Sequence, residues 1–304
     1  MAKKVLITGA NGFVGRHCLP VLQSRGYEIH AVSSRTVSDL SPGVHWHRQD
    51  LLQQDGIAEL IGELRPTHLL HLAWCTQPGQ YWTSPENLDW LQASLRLLRA
   101  FGENGGERVV MAGTCAEYDW SEGRCAEATT KLKPASLYGT CKHALRLLVE
   151  SYAEQTGLSA AWARLFFLYG PHEDPQRVVA SVIRALLNEQ PARCTSGTQQ
   201  RDLLFIEDAA SALVALLDSQ VRGPVNIGSG QAVAVKDVVT NIGVQLDRLE
   251  LIQLGALPGS PNDPPLLVAE IERLRNEVGW QPRFDLQSGL AATIEWARRN
   301  RAQQ

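Results

Sequence analysis

An apolar run, Val5-Leu6-Ile7-Thr8, ends in the turn Gly9-Ala10-Asn11-Gly12-Phe13-Val14-Gly15, and a helical pattern continues from there to Arg25. Glycines at this spacing between a buried strand and a helix serve a tight turn, close approach of backbone to a ligand, and close helix–strand packing. The first amides of a helix are unpaired and lie at the positive end of its dipole, so they attract anions. The turn therefore predicts a phosphate-bearing ligand, against the alternative of an ordinary connection.

Beyond it, strands (28–32, 68–73, 108–112, 159–168) alternate with helical patterns (56–64, 87–101, 136–155). Such alternation predicts an α/β fold, a doubly wound parallel sheet of the Rossmann type. After Tyr169-Gly170-Pro171 the elements shorten and prolines multiply. The expected organisation is a dinucleotide-binding domain over 1–170 with a returning segment near 198–228, and a smaller C-terminal substrate-binding region over 171–197 and 229–304. The helical pattern over 286–300 ends in Arg298, Arg299 and Arg301, a charge cluster that complements a helix C-terminus.

Composition narrows the partners. Lys+Arg 29 against Asp+Glu 32 leaves a net charge of −3, with no strong field for nucleic acid or an anionic membrane. The apolar stretch 209–217 contains Ser211 and is bracketed by Asp208 and Asp218, far short of the ~20 residues a membrane span needs. The opening apolar run stops after Ile7, too short for a signal peptide, so a cytoplasmic protein is expected. Six cysteines include no Cys-x-x-Cys pair, which reads as buried thiols. His45 and His47 alternate on one strand face, but with no third ligand clustered in sequence no metal site is expected.

Two further motifs carry chemistry. The second strand ends in Ser33-Ser34-Arg35-Thr36 with no acid before Asp39. Two hydroxyls and a guanidinium suit an adenosine 2′-phosphate, which a carboxylate would repel, so NADP(H) is the expected cofactor, with NAD(H) possible. In Tyr138-Gly139-Thr140-Cys141-Lys142, residues four apart share a helix face. An ammonium beside a phenol favours phenolate, so Lys142 is expected to lower the Tyr138 pKa toward the neutral range.

The glycine turn, Gly113-Thr114 and the Tyr138/Lys142 pair together resemble the short-chain dehydrogenase/reductase superfamily, in its extended branch of nucleotide-sugar epimerases, dehydratases and reductases. Later landmarks extend the resemblance over almost the whole chain: Arg164 through Pro171, Arg201-Asp202 through Asp208, and Val225 through Gly230. It implies catalysis by Thr114, Tyr138 and Lys142. It implies cofactor contacts from Gly9, Asn11, Gly12, Phe13, Val14 and Gly15, from Ser33, Ser34 and Arg35, from Asp50 and Leu51, from Leu72, Ala73 and Trp74, and from Lys142. Trp74 stands where the family has alanine. Asn87 matches a relay asparagine, though an N-cap explains it equally. Arg201 matches the arginine that grips the substrate diphosphate, and Arg177 is a second anion-binding candidate or a solvated helix residue.

The resemblance leaves the reaction to the details. Thr114 is followed by Cys115-Ala116 rather than the Asp-Glu of 4,6-dehydratases. With Arg35 pointing to NADPH, the expected reaction is reduction of a nucleotide-linked 4-keto-6-deoxyhexose. A NAD-dependent nucleotide-sugar 4-epimerase and a non-catalytic dinucleotide-binding regulator are the alternatives. Relatives pair two long helices across a dimer axis, so a homodimer through 87–101 and 136–155 is expected.

Overall fold

The computed structural model describes residues 3–36, 41–53, 56–261 and 263–301, which leaves Asp39 outside the described residues. In chain order, β1 (Lys4–Thr8), α1 (Gly15–Ser24), β2 (Glu28–Ser33), β3 (Val44–Arg48), α2 (Ile57–Leu64), β4 (His68–His71), α3 (Glu86–Glu103), β5 (Arg108–Thr114) and α4 (Leu137–Thr156) build the first half. Strands Ser159–Leu165 and Gly223–Ile227 complete a seven-stranded sheet ordered Gly223–Ile227, Ser159–Leu165, β5, β4, β1, β2, β3. Every pairing in it is parallel. This is the doubly wound Rossmann arrangement, and the order reverses between β1 and β4, where such sheets open a ligand crevice at their carboxyl ends.

Alternate side chains of the strands feed two cores. Val5, Ile7, Ile29 and Ala31 pack with Cys18, Leu19 and Leu22 of α1, whereas Leu6, Val32 and Leu69 pack with α2 and α3. Period-two alternation with both faces covered is why these strands read as continuous apolar runs. A third core joins α5 (Val178–Leu187), α6 (Ile206–Asp218), α7 (Val235–Leu246) and the helix Leu286–Arg301 into the smaller C-terminal region.

The strand expected over 159–168 divides. Phe166 donates its amide to Ile227 O (3.0 Å), Phe167 donates to Asp202 O (3.3 Å), and Phe167–Tyr169 then pairs with Leu203–Phe205. The chain thus leaves the main sheet for the C-terminal region without losing ladder bonds. A polar lock ties β1 to β4 and α3. Thr8 Oγ1 accepts from the Leu72 and Ala73 amides and lies 2.7 Å from His71 Nδ1, and His71 Nε2 lies 2.8 Å from Ser94 Oγ. Complete burial pulls the His71 pKa down to about 3, so the ring is neutral and structural.

Candidate active site

The glycine turn sits at the carboxyl end of β1. Gly9 has φ +67°, and a Cβ there would meet Ala73 N at 2.8 Å. A Cβ at Gly15 would meet Gly9 O at 2.2 Å, so the turn closes against α1 only with glycine at both positions. Gly12 spends its amide on Gly9 O (2.9 Å), and among the described residues the Phe13 and Val14 amides have no acceptor. No acidic residue and no side-chain cap occupies the first turn of α1. That donor set fits a pyrophosphate. Asn11 accepts from Arg16 through both its backbone and side-chain oxygens.

The adenosine side lies at the ends of β2 and β3. Ser33 donates to Arg35 O (2.9 Å) and accepts from Arg35 N (3.2 Å), which shapes the turn through Ser34 and leaves Arg35 exposed. One Asp50 oxygen accepts from Leu52 N (3.0 Å), while Leu51 is buried with its carbonyl held by Arg96.

Thr114, at the end of β5, and Tyr138 and Lys142, one turn apart on α4, meet at this edge. Ser136 caps α4 by accepting from Gly139 N (3.1 Å), which fixes the face that Tyr138 presents. Burial holds the Tyr138 pKa above the ordinary phenol value, outweighing the neighbouring Thr114 side chain, which favours phenolate. Lys142 donates to Ala112 O (2.8 Å) and lies 3.7 Å from the centre of the Trp74 ring, and burial pulls its pKa down to about 7. This corrects the sequence expectation. Packing aims the ammonium at a carbonyl and an indole, and desolvation disfavours charge on both members of the pair.

Trp74 thus packs against both Lys142 and Tyr138, anchored by its Nε1 on Asn87 Oδ1 (2.8 Å). The rings of Trp74, Tyr81 and Trp82 stand edge-on to Tyr138 at 6.4, 4.9 and 5.8 Å. The Tyr138 amide also donates to Trp82 O (3.2 Å), so the segment after β4 covers the phenol.

Glu117 escaped the sequence reading. Wholly buried, it accepts from Thr114 N (2.9 Å), Trp162 Nε1 (2.8 Å) and Arg164 Nε (3.1 Å), closing a capping box around Thr114. The Thr114-x-x-Glu117 spacing is a capping-box signature visible in sequence.

The substrate candidates fare differently. The Asn87 amide donates to Tyr81 O (2.7 Å) and Ser84 O (2.8 Å), so the side chain staples the covering segment, one residue inside α3 rather than at its cap. Arg201 is buried, donates to Gln200 O and Pro264 O (both 2.8 Å) and pairs with Asp263. Arg177, at the N-cap of α5, lies 5.7 Å from the centre of the Tyr81 ring, which in turn meets Tyr138 edge-on. Two groups flagged by sequence stand apart. Burial raises the Cys115 and Cys141 thiols, and the parallel register sets His30 beside His45, where it stacks on both His45 and His47 (5.0 and 5.1 Å). A bond of 2.9 Å between His30 Nδ1 and His47 Nε2 turns two of these rings toward one another rather than toward a common point.

A Rossmann sheet with a glycine turn at β1 and a Thr, Tyr and Lys set at β5 and α4 defines an NAD(P)-dependent oxidoreductase of the short-chain type. Residues 5–228 match the NAD dependent epimerase/dehydratase family, and the chain belongs to that family. It is 28% identical to UDP-glucuronic acid decarboxylase 1 of Xenopus tropicalis, over 98% of this chain and 72% of that protein. It is also 28% identical to UDP-glucuronate 4-epimerase 1 of Arabidopsis thaliana, over 96% and 76%. Among solved structures, MoeE5 in complex with UDP-glucuronic acid and NAD has 29% identity and a TM-score of 0.85, covering 98% of this chain and 99% of that one. Thermus thermophilus UDP-glucose 4-epimerase with NAD has 27% identity and a TM-score of 0.86, covering 97% and 99%.

These findings overturn the expected 4-keto-6-deoxyhexose reductase. The similar proteins are overwhelmingly 4-epimerases and decarboxylases rather than C4 reductases, and the two structures named hold NAD. The reductase reading rested on Arg35 at the end of β2, and a preference between cofactors has no bearing on whether a hydride is kept or returned. The dinucleotide of this family is the cofactor. No helix among the described residues is long and apolar enough to cross a membrane.

Proposed function

We propose that this protein is a nucleotide-sugar 4-epimerase that retains its nicotinamide dinucleotide through the cycle. The observation that carries the reading is the convergence of Thr114, Tyr138 and Lys142 at the sheet edge above the glycine turn, and the similarity to 4-epimerases supports it. The bound dinucleotide supplies a hydride acceptor that becomes the donor in the second half. Tyr138 takes the proton of the C4 hydroxyl as the carbonyl forms and gives it back to the C4 oxygen when the hydride returns to the opposite face of C4, while Thr114 hydrogen-bonds the C4 oxygen. Lys142 holds the nicotinamide ribose. Similarity to a decarboxylase favours a second reading: the same oxidation of a uronate gives a β-keto acid, which loses CO₂.

Incubation with UDP-glucose and, separately, UDP-glucuronate, without added cofactor, tests this by NMR of the products. The C4 epimer is expected with no net change in nicotinamide absorbance. Loss of CO₂ favours the second reading, and stoichiometric consumption of NADPH in a separate incubation with a nucleotide-linked 4-keto sugar defeats both.

The cofactor end and the assembly complete the proposal. Ser33 and Arg35 line a strand end that favours NADP(H) while admitting NAD(H). Losing the guanidinium removes charge-assisted bonds worth roughly 1.5–3 kcal/mol. Arg35→Ala is therefore expected to weaken NADP binding about tenfold or more and to spare NAD, and equal losses in titrations of both would defeat the assignment. Helices α3 and α4 leave Leu88, Leu147 and Leu148 about half exposed, with fractional exposures of 49%, 49% and 47%. We place a homodimer axis there, in a cytoplasmic protein, and Leu147→Glu with Leu148→Glu should convert the dimer to monomer in sedimentation velocity.

A further inference from the structure

An ammonium buried away from water needs other groups to stabilise its charge. Lys142 is 3% exposed, and Glu117, the acid whose charge reaches it, is already paired with Arg164 at 3.1 Å. Two other groups stand in for water. The Ala112 carbonyl accepts from Nζ at 2.8 Å, and the face of the Trp74 indole lies over Nζ, 3.7 Å from the ring centre. The quadrupole of an aromatic ring attracts a cation, and the attraction grows as water is excluded. The other titratable groups beside the ammonium carry no charge. His71 of β4 is neutral, and Tyr138, one turn earlier on α4, keeps its proton.

The indole is fixed in place. Trp74 follows β4 by three residues, its Nε1 donates to Asn87 Oδ1 (2.8 Å), and its ring stacks on Trp90 of α3 with 6.2 Å between centres. Asn87 also donates to Tyr81 O and Ser84 O, so α3 seats both the indole and the segment that covers Tyr138. Trp74 cannot turn away from Lys142 without breaking the bond to Asn87. An ammonium has three N–H donors, and a carbonyl and a ring face leave one direction for a ligand.

We propose that Trp74 is a positioning residue for the cofactor: its ring face keeps the Lys142 ammonium charged and aimed, so that the nicotinamide ribose meets a donor already oriented. This rests on the reading that Lys142 holds that ribose. Burial draws the Lys142 pKa down to about 7, and an indole face that favours the charged form opposes the fall. Affinity that depends on the ammonium is complete below the lysine pKa and is lost as pH rises through it. Without the ring, that loss moves to lower pH by about one unit.

The test is the affinity of the full chain for NAD, measured by calorimetric titration from mildly acidic to mildly alkaline pH. Wild-type affinity is expected to fall as pH rises through the Lys142 range. In Trp74→Leu, which keeps an apolar side chain and loses the ring face, the fall should begin about one pH unit lower, with binding about tenfold weaker on the alkaline side. Trp74→Phe, which keeps a ring, should lie between the two, and it carries the comparison by itself should Trp74→Leu fail to fold. Lys142→Met should bind weakly with no such fall, and adding Trp74→Leu to it should cost less than about twofold more. A Trp74→Leu or Trp74→Phe profile that is weaker by the same factor at every pH would assign the indole to packing and overturn the proposal. An equal loss in the Lys142→Met background would do the same while leaving Lys142 on the ribose. A wild-type fall that survives in Lys142→Met would defeat the ribose reading, and the proposal with it.

Discussion

Tyr138→Phe should lower turnover by about 10³-fold or more while dinucleotide affinity changes by less than about twofold. The phenol oxygen is the only part removed, and it is the proton carrier at C4. The ring stays packed against Tyr81, Trp74 and Trp82, so the covering segment keeps its seat. Burial holds Tyr138 above the ordinary phenol value and draws Lys142 down to about 7. The positive charge of an oxidised nicotinamide would favour phenolate where Lys142 does not. Lys142→Ala should therefore weaken cofactor binding as well as turnover, a split that separates the two roles. Near-normal turnover in Tyr138→Phe, measured by product formation from the nucleotide sugar, would remove Tyr138 from the chemistry.

Glu117→Ala should be the most destabilising single change at the site. Glu117 and Arg164 form an ion pair with both side chains at 0% exposure, and Arg164 Nη1 also donates to Tyr118 Oη (2.9 Å). Removing one partner of such a pair typically costs about 3–5 kcal/mol, because the other is left charged and dry. The Thr114 amide and Trp162 Nε1 lose their acceptor in the same step. Against a total stability of roughly 5–15 kcal/mol this should lower the melting temperature by about 10 °C or prevent accumulation of folded protein. Combining Glu117→Gln with Arg164→Met should recover much of the loss, since it deletes the buried charges rather than orphaning one. A melting temperature for Glu117→Ala within about 2 °C of wild type would show that the pair holds nothing in place.

What was legible in the sequence is what depends on near neighbours. The turn at Gly9 and Gly15 announced itself because its steric demand involves residues within one strand-turn-helix unit, apart from the approach to Ala73. Tyr138 and Lys142 share a face because a helix repeats every 3.6 residues, and the apolar runs of β1, β4 and β5 already described a sheet covered on both sides. Even Glu117 carried a local signature, the capping box, although its ion-pair partner is 47 positions away.

The tertiary structure alone decided the rest. Whether Lys142 would charge Tyr138 or face Trp74 and the Ala112 carbonyl depended on how β4 and β5 pack under α4. Whether Arg201 and Arg177 were alike as anion sites depended on loop closure, which gave Arg201 to Asp263 and set Arg177 on Tyr81. His30 joined His45 and His47 only through a parallel register. Each of these contacts joins residues distant in sequence, and periodicity carries no information about strand register or loop closure. Burial then set the charge states, because desolvation is a property of everything that surrounds a group and not of the residue type itself.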